Sequence, residues 1–136
     1  MPASVRGRCE AIEECYEFML AYAAQGLSGD VGHDSAGQNS AGQLRMLLSG
    51  AEEALDGLAG AFGEAVAEAR LTPVAPYEAF LTVLDRDAAA SLAAIRLVLA
   101  QPAISSQLVD NLNASIHLRA LLTDLFLIDE ILHPRA

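Results

Sequence analysis

Residues 44–69 read LRMLLSGAEEALDGLAGAFGEAVAEA. Leu44, Leu48, Ala51, Leu55, Leu58, Phe62, Ala65 and Ala69 recur at alternating steps of four and three. That alternation keeps one face of an α-helix apolar and predicts a seam along which helices pack side by side. Ser40 and Gln43 form a capping-box pattern just ahead of it, so the predicted helix covers about residues 41–70. Gly50, Gly57, Gly60 and Gly63 lie inside the same stretch, off the seam. Each costs about 1 kcal/mol relative to Ala in a helix interior. Packing, and not intrinsic propensity, must therefore hold this helix.

Upstream, residues 28–40 read SGDVGHDSAGQNS. A run of Gly, Ser, Asp and Asn has little to bury and predicts a mobile loop. Before it, Val5, Cys9, Ile12, Tyr16, Met19 and Ala23 repeat the four-three alternation. This predicts a first helix over about residues 4–25, capped by Ser4 and ended by Gly26.

Downstream, Thr72, Pro73 and Pro76 break the chain. A third helix is predicted over 76–101, with Pro76 near its start, where a missing N–H costs nothing. Tyr77, Phe80, Leu81, Leu84, Ala88, Leu92, Ile95, Val98 and Leu99 share one face of it. Glu78, Thr82, Asp85, Arg86 and Arg96 share the other. After Gln101-Pro102, a fourth helix is predicted over 105–132, stopped by Pro134. Four matched helices in 136 residues describe one all-α domain, an antiparallel four-helix bundle spanning residues 1–136.

The last helix departs from the pattern. In its first half Leu108, Val109, Leu112 and Ile116 face one way, opposite a polar row of Ser106, Asp110, Asn113 and His117. In its second half the apolar arc widens and turns, and Leu127 and Ile131 fall on yet another side. A helix apolar nearly all round must be covered nearly all round. The sequence thus predicts a homodimer whose interface draws on Leu121, Leu125, Phe126, Leu127, Ile128, Ile131 and Leu132. The competing expectation is a long loop folded over this helix.

Composition narrows the partners. The net charge is −10, and all eight basic residues are Arg. An acidic surface repels phosphate backbones and anionic headgroups, which argues against nucleic acid and membrane. It leaves room for a basic protein partner, for which Glu10, Glu13, Glu14 and Glu17, with Glu52, Glu53, Asp56, Glu64 and Glu68, offer an acidic face. No signal-peptide pattern opens the chain, and no stretch has the roughly 20 apolar residues of a membrane span, so a cytoplasmic location is expected. Cys9 and Cys15 stand six apart. That spacing cannot pair within one helix and matches no zinc motif, so both are expected as half-buried free thiols.

Candidate chemistry is sparse. Carboxylate-bridged di-iron bundles take a Glu-x-x-His from each of two helices. Here Glu130-Ile131-Leu132-His133 is one match, and His117 has Ala114 where a second would need Glu. Glu130 and His133 remain weak candidates for a metal, and Asp30, His33 and Asp34 in the loop lack the spacing of a calcium loop. His117 sits where a bundle presents a phosphoacceptor histidine. Histidine phosphotransfer domains carry Lys three residues on, where this chain has Ala120. No phosphate loop, nucleophile elbow or activated thiol is present, and no cofactor is predicted. The reading is a non-enzymatic interaction module: an adaptor, assembly factor or regulator. A metal- or cofactor-binding redox bundle is the alternative, and a phosphotransfer-like domain the remote one.

Overall fold

The computed structural model describes residues 5–25 and 35–133, with residues 35–39 described as backbone alone. Six helices and no strand make up the described residues. They are α1 (Val5–Ala24), α2 (Ser35–Leu55), α3 (Leu58–Ala69), α4 (Val74–Leu99), α5 (Ser106–Ala114) and α6 (Ile116–Leu132). The predicted caps Ser4, Gly26 and Pro134, the loop candidates Asp30, His33 and Asp34, and most of the predicted loop lie outside the described residues.

Two predicted helices are each broken into two. The predicted helix 41–70 begins earlier, at Ser35, and stops at Leu55. Ser, Gly and Asn there are poor helix formers, but extending a helix that is already packed gains a hydrogen bond per residue. The interruption falls at Gly57, whose φ of 79° is left-handed. Glycine adopts that conformation without steric cost, which makes it the natural stop for α2. Arg8 then reaches across from α1. Its Nη1 donates to the carbonyls of Ala54 at 2.8 Å and Asp56 at 2.7 Å. These carbonyls belong to the end of α2, where partners within the helix run out.

The seam survives the break. Leu44, Leu48, Ala51, Leu55, Leu58 and Phe62 are all buried. Beyond Phe62 it moves by one position: Val66 is buried, Ala65 half-buried and Ala69 exposed. In α1 the buried set is Cys9, Ile12, Cys15, Met19 and Tyr22, so Cys15 and Tyr22 displace the expected Tyr16 and Ala23 inward. Both cysteines are fully buried, not half-buried, at 6% and 1% exposure.

The second break is at Ser115, with φ −64° and ψ 141°. Its extended backbone ends α5. Its hydroxyl accepts from the Leu118 amide at 3.3 Å and so caps α6. Ser105 caps α5 in the same way, from Leu108 at 3.1 Å. The turn of the apolar arc seen in the sequence is this break: the chain changes direction and each half presents its own stripe.

α1 packs mainly on α2 and α5, and α4 on α6, α3 and α2. Specific bonds fix these neighbours. The Tyr22 hydroxyl donates to the Ile104 carbonyl at 2.6 Å, and Ser106 Oγ to the Tyr22 carbonyl at 2.8 Å, tying the end of α1 to the start of α5. Arg45 donates to the carbonyls of Leu99 and Gln101 at 3.2 and 2.7 Å, which ties the middle of α2 to the end of α4. Arg96 Nε meets Glu52 Oε2 at 2.8 Å across the same pair. Ser91 Oγ donates to the His117 carbonyl at 3.0 Å and sets α4 against α6.

Candidate interaction surface on α6

At about 100° per residue, a helix of five turns has room for two seams on opposite sides. α6 has both. Leu118, Leu121, Leu122, Leu125 and Ile128 are buried in the core. Outward, Ile116 is 76% exposed, Phe126 60%, Leu127 53% and Ile131 55%. Among the described residues nine large apolar side chains are exposed, and these four share one helix. Thr123, Phe126, Leu127, Glu130 and Ile131 line a shallow, almost wholly apolar depression on that side. Clustered exposed apolar side chains of this kind mark contact surfaces more often than scattered ones do.

The predicted interface residues divide. Phe126, Leu127 and Ile131 lie on the outer seam. Leu121, Leu125 and Ile128 are fixed in the chain's own core, and Leu132 is partly buried against it. Ile116, expected to face inward with Leu112, points outward instead, because the Ser115 break resets the helical phase. The neighbouring α4 adds Val83 and Leu97, at 37% and 67% exposure.

The polar row predicted on this limb does not form. Asp110 and His117 are exposed, but Ser106 and Asn113 turn inward. Ser106 is satisfied by Tyr22. Asn113 is 8% exposed, and its amide nitrogen and oxygen have no hydrogen-bond partner among the described residues.

Glu130 edges the outer depression, and His133 Nδ1 lies 3.2 Å from Asp129 Oδ1 at the helix end. Among the described residues no three His, Cys, Asp or Glu side chains gather as a metal ion would need. Burial pushes the Cys9 thiol up to about 12, helped by the charges of Asp129, Glu13 and Glu10. Cys15 is likewise pushed up to about 12, by burial and then by Glu14. A thiol held protonated is a poor nucleophile.

One ionisable feature gave no sequence signal. Asp124, on α6, is 7% exposed. Burial pushes its carboxyl up to about 7, followed by a hydrogen bond with Asp87 of α4 and then by the Asp87 charge. Two carboxylates in contact favour sharing a proton over both being ionised. Neither aspartate belongs to a motif, and only the register of α4 on α6 brings them together.

Acidic side chains crowd elsewhere. Glu10, Glu13, Glu14 and Glu17 of α1 are all exposed, as are Glu53, Asp56, Glu64 and Glu68. Among the described residues no helix is long and apolar enough to cross a membrane. No family model, no curated protein and no solved structure matches this chain, so its reading rests on its own residues.

Proposed function

We propose that this chain is an antiparallel four-helix bundle with two broken limbs, and that it works as a protein-interaction module that dimerises through α6. The single observation that carries the second part is the outer seam of Ile116, Phe126, Leu127 and Ile131, apolar side chains left in water on the side of α6 away from the core. The bonds of Arg8, Arg45, Ser91 and Ser106 support the first part, since they tie α1 to α2, α2 to α4, α4 to α6 and α5 back to α1. Apolar area removed from water contributes about 25 cal/mol per Å². A second copy is the simplest source of a matching surface, because a two-fold axis brings the same patch to itself.

The test is Leu127→Glu and Ile131→Glu, each measured by light scattering alongside circular dichroism. Because both side chains are more than half exposed, the variants keep their helix content, and their melts lose only the concentration-dependent stability that dimerisation gives the parent. The parent runs as a dimer and the variants as monomers. A parent that is monomeric at tens of micromolar, or variants that remain dimeric, overturns the reading.

A further inference from the structure

The chain carries a net charge of −10, so two copies repel each other over most of their surface. They can approach only where acid is scarce. The outer side of α1 is the wrong place, with Glu10, Glu13, Glu14 and Glu17 all exposed. The outer side of α6 is different. It carries one exposed base, Arg119, toward its start and one exposed acid, Glu130, toward its end. Neither has an ion-pair partner among the described residues. They stand 11 residues apart in the sequence, about 16 Å along the axis.

Two identical helices packed side by side can run parallel or antiparallel. Parallel packing sets Arg119 against the partner's Arg119 and Glu130 against the partner's Glu130, two like-charge contacts. Antiparallel packing about a two-fold axis sets Arg119 beside the partner's Glu130 and, by symmetry, makes the same pair again. That register also brings Phe126 level with the partner's Thr123, a large side chain over a small one, twice.

One helix is too narrow to bury the roughly 800 Å² per partner of a stable dimer. α4 widens the face. Ser91 against His117 and Asp87 against Asp124 fix its register on α6. Val83, Ala90, Ala94 and Leu97 follow one another at steps of seven, four and three along the flank of α4 that adjoins α6. Ala94 comes about level with Ile116, and Ala90 about level with Ala120. Val83 and Leu97 are exposed, while Ala90 and Ala94 are half-buried.

Resting on the dimer reading above, we infer that a second copy of this chain seats on the combined α4–α6 face with its α6 antiparallel, crossing between Thr123 and Phe126, and with Arg119 paired to the partner's Glu130 on both sides. The charge pairs set direction and register, and the apolar seam supplies the attraction.

The test uses Arg119→Glu and Glu130→Arg, alone and mixed. Each variant alone meets itself with two like-charge contacts. With surface pairs worth about 0.2–1 kcal/mol, replacing two attractions by two repulsions weakens self-association about tenfold or more. A one-to-one mixture makes a heterodimer in which both contacts are again of opposite sign. Native mass spectrometry should show that heterodimer in excess of the statistical half, with a dissociation constant within about threefold of the parent. If the single variants associate as tightly as the parent, or the mixture gains nothing, the antiparallel seat is wrong even though α6 dimerises. A parent that is itself monomeric sinks the underlying dimer reading instead, and circular dichroism of each variant separates both outcomes from misfolding.

Discussion

Asp124 is the residue whose environment most contradicts its chemistry. A carboxyl ordinarily ionises near 3.8, and here it is held up to about 7 by burial and by Asp87. The native state therefore keeps a proton that the unfolded chain has lost between those values. The proton excess favours the native state at low pH, and stability falls as pH rises from about 4 to 7. Asp124→Asn removes the ionisable group and with it this pH dependence. Denaturant titrations should find the variant more stable than the parent by on the order of 2 kcal/mol at pH 8, with the gap closing toward pH 4. A gap that is constant with pH, or reversed in sign, would show that the two carboxyls do not share a proton. Nothing in the sequence marks this pair, because Asp87 and Asp124 are 37 positions apart and each reads alone as an ordinary surface acid.

At the scale of elements, the sequence shows the seams clearly and the breaks poorly. The four-three alternation from Leu44 to Phe62 corresponds to buried positions throughout, because burial depends on angular position, and that survives a short interruption. The interruption itself depends on one φ angle. Gly57 is one of four glycines in the stretch, and periodicity cannot say which of them turns left-handed. Its substitution distinguishes it. At Gly57 an added Cβ meets nothing closer than the Arg8 guanidinium at 3.9 Å, so any cost of Gly57→Ala is backbone strain, about 1–2 kcal/mol. At Gly60 an added Cβ has nothing within 4 Å and the backbone is helical, so Gly60→Ala should stabilise by about 0.5–1 kcal/mol. Thermal melts of the two variants should move in opposite directions; a shared direction would mean that the α2–α3 break is not held at Gly57. The Ser115 break was visible in the sequence only as a rotation of the apolar arc. The structure accounts for that rotation by the break at Ser115, and the outer seam on α6 is a separate feature.

For the whole molecule, the all-helical class was readable from composition and period, since Ala and Leu dominate and strand formers are few. The candidate interaction surface was readable in part. Leu127 and Ile131 lie off the inward stripe by angle alone, which the sequence gives directly. Leu121, Leu125 and Ile128 are equally apolar, and only the packing of α6 on α4 shows that they serve the core. Ile116 went unrecognised because its side depends on a helix start, at 116, that periodicity places at 105. The proposed association thus rests on the contrast between an acidic exterior and one helix whose outer side carries a single exposed base and a single exposed acid.

The burial of Cys9 and Cys15 has a practical consequence. With both thiols sealed in the core and held protonated to about 12, the native chain offers almost no background to a maleimide probe. Folded parent protein at pH 7 should stay unlabelled over minutes while the unfolded chain takes up two equivalents; rapid labelling of the folded form would contradict the packing of α1. A cysteine placed at exposed Glu17, on the outer side of α1 and away from the α4–α6 face, then becomes the one addressable position. A spin label or donor–acceptor pair attached there reports the separation of two copies directly, with no need to remove the native thiols first.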